Sequence, residues 1–124
     1  MTDGPAGRDP RPAGFASARL HDSGKTMFVG ALELDLLLGD VRSLKQKRSV
    51  VRPVIAEIRK RFEVAVAEAG HLELHRRALL GVAVVAADGG HVRAVLDACE
   101  RLVADRPEIE LLSAHRRLLG PEDE

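Results

Sequence analysis

The chain has 124 residues, with 19 basic and 19 acidic side chains and a formal net charge of zero. That length suits one domain with a modest core, and the charge balance excludes a global field able to draw nucleic acid or membrane. A single cysteine, Cys99, excludes an internal disulfide, fits a reducing, cytoplasmic setting, and no apolar run approaches the roughly 20 residues needed to span a bilayer.

Met1 to Thr26 shows no apolar period and alternates Gly4, Gly7, Gly14 and Gly24 with Pro5, Pro10 and Pro12. Such a stretch buries too little surface to offset its ordering entropy, so residues 1–26 read as a disordered extension. It has no continuous apolar region of the kind a signal peptide carries. The folded domain is expected over residues 27–119, with a short acidic tail at 120–124.

Phe28 to Leu38 (FVGALELDLLL) alternates with period two and reads as the first strand. Phe28, Gly30, Leu32, Leu34 and Leu36 share an apolar face, while Glu33 and Asp35 lie on the other. That is the pattern of a sheet covered on one side. Ser43 then opens a long helix, and Ser43-Leu44-Lys45-Gln46 fits a reciprocal capping box. Leu44, Val51, Ile55, Ile58 and Phe62 recur at helical spacing and predict its buried stripe. Pro53 interrupts the pattern on the polar side, where a bend is expected instead of a break.

Phe62 to Ala69 alternates again and predicts a second strand, followed by a polar connection from Gly70 to Arg77. Ala78 to Ala87 is a nearly continuous, valine-rich apolar run and predicts a central strand. Asp88 can cap a second helix over His91 to Asp105, whose apolar positions Val92, Val95, Leu96, Cys99, Leu102 and Val103 keep a 3/4 spacing. Arg106-Pro107 stops it, and Ile109 to Leu118 predicts the last strand. The order β-α-β-β-α-β, with right-handed crossovers, predicts an α+β ferredoxin-like fold: a four-stranded antiparallel sheet with both helices on one face.

The run SLKQKRSVVRPVIAEIRKRF, followed by VAVAEAGHLELHRRALLGVAVVA, resembles the YlxP-like family of small bacterial proteins of unknown function. The resemblance spans about Met27 to Leu119. It is carried most specifically by the Ser-Leu-Lys-X-Lys-Arg helix start, by Arg59-Lys60-Arg61-Phe62 at the helix end, and by the segment Ala67 to His71. His75, where the family pattern has a tryptophan, and the residues before Met27 depart from it. The resemblance implies a ferredoxin-like fold. It also suggests a ribosome- or RNA-linked role, because family members are commonly encoded beside genes for translation initiation and small-subunit maturation.

The first helix carries the strongest chemical signal. Arg42, Lys45, Lys47, Arg48, Arg52, Arg59, Lys60 and Arg61 are set against one acid, Glu57. At about 100° per residue, Lys45, Arg52 and Arg59 align with Arg48 beside them, a row suited to phosphate contacts. These four residues are the candidate nucleic-acid-binding site, with ribosomal RNA or a ribosomal particle as the expected partner. The plainer alternative is a solvated face whose charges pair with Glu63, Glu68 or Glu73, or with the acids of a protein partner.

The open sheet face argues against base stacking of the kind RNA-recognition motifs use. Its first strand offers Glu33 and Asp35, and Ala78 to Ala87 contains no aromatic. That face is better suited to a protein partner or a second copy, so the second reading is a protein-interaction or regulatory module that touches no RNA, with a homodimer through this face as one form of it. Acylphosphatases share the topology but need an arginine in a glycine-rich cradle and an asparagine on the sheet. Gly39-Asp40-Val41-Arg42 lacks such a cradle, and the chain contains no asparagine.

No cofactor or metal is expected. His71 and His75 stand four apart, yet in a short polar connection they read as surface side chains. Cys99 falls on the apolar stripe of its helix and reads as a core residue. Glu33 with Asp35 implies no acid/base duty by spacing alone, and Gly89-Gly90 reads as a turn with Asp88 opposing any anion. The chain is expected to be a non-enzymatic accessory factor.

Overall fold

The leucines at alternate positions of the first strand decide how the sheet is covered. In the computed structural model, which describes residues 27–121, β1 (Phe28–Leu38) buries Leu32, Leu34, Leu36 and Leu38 completely and leaves Glu33 exposed. Side chains alternate across a strand, so one face of β1 builds the core and the other faces outward. The expected extension at 1–26 lies outside the described residues.

The remaining elements follow in the expected order: α1 (Leu44–Arg61), β2 (Ala65–Gly70), β3 (Arg77–Ala86), α2 (Gly89–Ala104) and β4 (Ile109–Leu119). The sheet order is β2-β3-β1-β4, with every neighbouring pair antiparallel. This is the ferredoxin-like α+β architecture. β3 and β1 are the central strands, paired from Phe28 opposite Ala86 to Leu37 opposite Arg77. Their outward residues include Ala31, Glu33, Asp35, Leu79, Gly81 and Ala83, which provide no ring for a base to stack on.

β2 begins at Ala65, three residues later than the period-two pattern suggested. Phe62 is still the C-cap of α1, its N–H donating to the Ile58 carbonyl at 2.9 Å, and its ring packs against the core. β4 carries a bulge that no periodicity announced. Asp35 pairs with Ser113 and Leu36 with Leu111, so Leu112 is the extra residue and is left largely exposed.

Both helix starts are capped. Ser43 Oγ accepts from the Gln46 N–H at 3.1 Å, as a capping box requires, but the Gln46 side chain reaches one residue further back. Its Oε1 accepts from the Arg42 N–H at 2.6 Å, not from that of Ser43. Asp88 caps α2 by accepting from the Gly90 N–H at 3.1 Å, which occupies the donor an anion there would use. α1 runs through Pro53 as one helix.

The core lies between the helices and the covered sheet face. It joins the β1 leucines to Val66, Leu80, Val82 and Val84 from the other strands, and to Val51, Val54, Ile58, Val92, Leu96, Cys99 and Val103 from the helices. Gly30 lies where α2 side chains press closely on β1. A Cβ at that position would collide with Val92 and come within 2.9 Å of Leu96. Burial pushes the Cys99 thiol up to about 11, which keeps it protonated and unreactive, as its place on the apolar stripe implied.

Candidate functional site

The first turn of α1 sends its cations in two directions. The buried line of this helix is Lys47, Val51, Val54 and Ile58. The expected stripe of Leu44, Val51, Ile55, Ile58 and Phe62 is therefore rotated: Val51 and Ile58 are buried, Ile55 and Phe62 are partly buried at its margin, and Leu44 is half-exposed. The centre of the stripe passes through a lysine. A lysine adds nothing to the apolar periodicity of a helix, so the stripe of apolar residues does not announce that position.

Lys47 is 2% exposed. Its Nζ donates to the His71 carbonyl at 2.7 Å and to the Leu74 carbonyl at 2.9 Å. The same ammonium stands 2.6 Å from Glu68 Oε2, off hydrogen-bond alignment, so that contact is an ion pair held by charge. Two carbonyl acceptors and a carboxylate at ion-pair distance together offset the burial of this ammonium. Of the acids considered as partners for the basic helix, Glu68 alone meets a cation, and it meets the buried one.

The loop that Lys47 grips is tied down on the opposite sheet face too. His71 has φ 58, a left-handed conformation uncommon outside glycine. This backbone aims its carbonyl at Lys47 while its imidazole Nε2 lies 3.3 Å from Asp35 Oδ1. Arg77 holds the same carboxylate with 2.8 Å bonds from one nitrogen to both oxygens. The Arg77 hydrogen bonds, followed by its charge and by the weaker contribution of His71, hold the Asp35 carboxyl below its ordinary value of 3.8 against the opposing effect of burial. Asp35 is thus structural, and Glu33 stays exposed without it. Among the described residues no group of three or more His, Cys, Asp or Glu side chains is arranged to hold a metal ion.

The other direction of the first turn is open. Lys45, Arg48 and Arg52, with Ser49 and Pro53, line a groove of about 530 Å³ along the exposed side of α1. Pro53 has no N–H to give the Ser49 carbonyl, so that acceptor is left on the groove side, where water reaches it. Ser49 Oγ donates to the Gln46 carbonyl at 2.6 Å, tightening the turn below it. Arg59, aligned with these residues on a helical wheel, lies beyond the groove and donates to the Val66 carbonyl of β2 at 2.9 Å. The structure therefore brings three of the four sequence candidates together and gives the fourth a bond to a sheet edge.

Electrostatics set those three apart. Several other described cations have acid partners: Arg42 with Asp40, Arg61 with Glu57, Arg77 with Asp35, Arg106 with Glu57 and Glu108, and Arg116 with Asp97 and Glu100. Arg76 donates to the Leu38 and Gly39 carbonyls. Among the described residues Lys45, Arg48 and Arg52 meet no acid, and they line a common groove. The first turn of α1 also contains no acidic residue. Cations at the positive end of a helix are unfavourable for the helix itself, by about 0.3–1 kcal/mol each at an exposed site.

The fold and this site together define a small ferredoxin-like domain whose distinguishing surface is an uncompensated cationic helix face. The chain belongs to the family described as "Protein of unknown function (DUF503)", whose model matches residues 29–116. It is similar to "Uncharacterized protein YlxP" of Bacillus subtilis (strain 168), with 27% identity over 82 residues, 66% of this chain and 89% of that protein. The family resemblance read from the helix start and the segment after it is thereby established. Among the described residues no helix is long and apolar enough to cross a membrane.

Proposed function

We propose that the protein is a non-enzymatic accessory factor that contacts RNA phosphates through Lys45, Arg48 and Arg52, with an intermediate of small ribosomal subunit assembly as the target. The observation that carries this reading is that, among the described residues, these three cations line one groove without an intramolecular partner, while most of the other described cations have an acid or a carbonyl as partner. Lys45, in the first turn of α1, adds its charge to the positive end of the helix dipole, and Arg48 and Arg52 extend the cationic row along the following turns. The aromatic-free sheet face leaves the helix as the surface for such contact. Arg59 belongs to the rim of this interface, its guanidinium keeping further donors besides the one given to Val66.

Three phosphate contacts predict that log affinity falls against log salt with a slope of roughly −2 to −3. Co-sedimentation of the full chain with small-subunit particles, measured across a salt series, tests this directly. K45Q/R48Q/R52Q should flatten the slope and abolish low-salt co-sedimentation. Retention of the triple variant on the particles would overturn the reading.

The second reading is a protein-interaction module using the open sheet face. A depression of about 310 Å³ there has a floor of Ala31, Ala65, Ala67, Ala69, Gly81 and Ala83 with Glu33 at its side. An acidic rim over small apolar residues suits a protein partner and repels phosphate. Under this reading the triple variant keeps its partners, and Glu33→Lys loses them.

A further inference from the structure

The two edges of the sheet are unlike. β2 has six residues, and Arg59 reaches from α1 to bond the Val66 carbonyl on it. β4 has eleven residues, and among the described residues no side chain from another element bonds its backbone. A long uncovered edge is a template for another strand.

Position along β4 is measured by the residues of β1 that it faces. Leu34 faces Ala114, Asp35 faces Ser113 and Glu33 faces His115. Beyond the Leu112 bulge, Leu36 faces Leu111, Leu37 faces Glu110 and Leu38 faces Ile109. In the other direction, Leu32, Ala31 and Gly30 face Arg116, Arg117 and Leu118. A two-fold axis through the Ala114 row superposes this strand on an antiparallel copy of itself with every side chain on its own face. In that register Ala114 faces its own copy, Ser113 faces His115, Ile109 faces Leu118, Leu111 faces Arg116 and Glu110 faces Arg117. The bulge is what brings Glu110 and Arg117 into one row and onto one face.

Glu110 and Arg117 are both exposed, and among the described residues neither has an ion pair. Moving the axis by one row sets Glu110 opposite Leu119 or opposite His115, and neither alternative pairs it with Arg117. We propose that a second copy of this chain occupies this edge, pairing β4 with β4 antiparallel about Ala114 to make a continuous eight-stranded sheet. Main-chain hydrogen bonds supply the affinity of such strand addition, and the two Glu110–Arg117 pairs fix its register. The charges that blunt an edge against other strands become complementary in this register alone. α1 packs against β2, at the far side of each sheet from the junction. The dimer therefore holds its two cationic grooves at opposite ends. This proposal rests on the β4 edge and is independent of whether those grooves bind RNA.

Sedimentation of the full chain over a concentration series tests the proposal. A reversible dimer is expected. E110R and R117E should each raise its dissociation constant by about tenfold or more, and E110R/R117E should restore it. Oxidative cross-linking of A114C supplies a readout that leaves the charges untouched: A114C should cross-link to itself, whereas S113C should cross-link to H115C and poorly to itself. A chain that stays monomeric throughout, a dimer indifferent to both charge reversals, or faster cross-linking of S113C alone than of A114C would each overturn the proposal.

Discussion

Lys45 and Lys47 stand two residues apart on the first turn of α1, and the fold treats them in opposite ways. Lys47 is taken out of water and given two carbonyls and a carboxylate. Lys45 shares an open groove with Arg48 and Arg52 and meets no acid. The same residue type thus serves as an internal fastener on one side of the helix and as an uncommitted charge on the other. Burial is costly for an ammonium unless all its protons are satisfied. The loop at residues 71–74 pays that cost by turning its carbonyls inward.

Several substitutions would break or sharpen this contrast. The largest effect is expected at the buried lysine. Lys47→Ala removes the fastener and leaves Glu68 with an uncompensated charge, which should lower stability by about 3–5 kcal/mol in urea unfolding. A loss below about 1 kcal/mol would mean that the loop holds its shape without Lys47. Gly30→Ala comes next. The Cβ collides with Val92 and crowds Leu96, so β1 and α2 must separate, at about 1–3 kcal/mol.

Asp35→Asn tests the outer half of the loop clamp. It forfeits the charge-assisted bonds to Arg77, and partial exposure limits the loss to about 1–2 kcal/mol near neutral pH. The native carboxyl titrates below its ordinary 3.8, so its stabilising contribution is complete above that value and disappears as pH falls through the lower native pKa. The gap between wild type and Asp35→Asn should accordingly shrink in acid melts below about pH 4. A gap that stays constant down to pH 2 would assign the effect to packing.

The smallest effect on stability belongs to the open side. K45Q/R48Q/R52Q should stay within about 0.5 kcal/mol of wild type, because all three side chains are exposed and Lys45, in the first turn, opposes the helix dipole. Its consequence should appear in RNA binding alone. Arg59→Gln separates the two roles of the basic row: it loses the bond to Val66 and should cost a few tenths to 1 kcal/mol, with a smaller drop in RNA affinity than the triple variant. Should Arg59→Gln match the triple variant in binding, Arg59 would count as a full member of the interface.

Much of the fold was legible because burial follows simple periods. The alternating leucines from Leu32 to Leu38 fixed which face of β1 is covered, and the valine-rich run before Asp88 marked a central strand. Ser43 and Asp88 announced both helix starts. The cationic side of α1 was legible too, since Lys45, Arg48 and Arg52 follow from helical spacing without further information. Lys47 was not. Its chemical type argues for solvent, and the apolar residues around it form a tolerable stripe without it. A signal did exist, because Lys47 continues the line of Val51, Val54 and Ile58 at spacings of four, three and four. Only the arrival of the Glu68 strand and the loop carbonyls makes that position habitable.

What the residues determine by themselves is local: the order of elements, the face each presents to the core, and the clustering of cations on one helix. These follow from period, capping and turn chemistry within a few positions of each residue. Tertiary structure decided everything that depends on a second element. It chose which cations would be neutralised, because ion pairs join residues distant in sequence, such as Lys47 with Glu68 and Arg106 with Glu57. It placed the bulge at Leu112, because register is a property of two strands and not of one. Charge in the chain is balanced overall, but where it remains uncompensated is a matter of which side chains the fold brings within reach of one another.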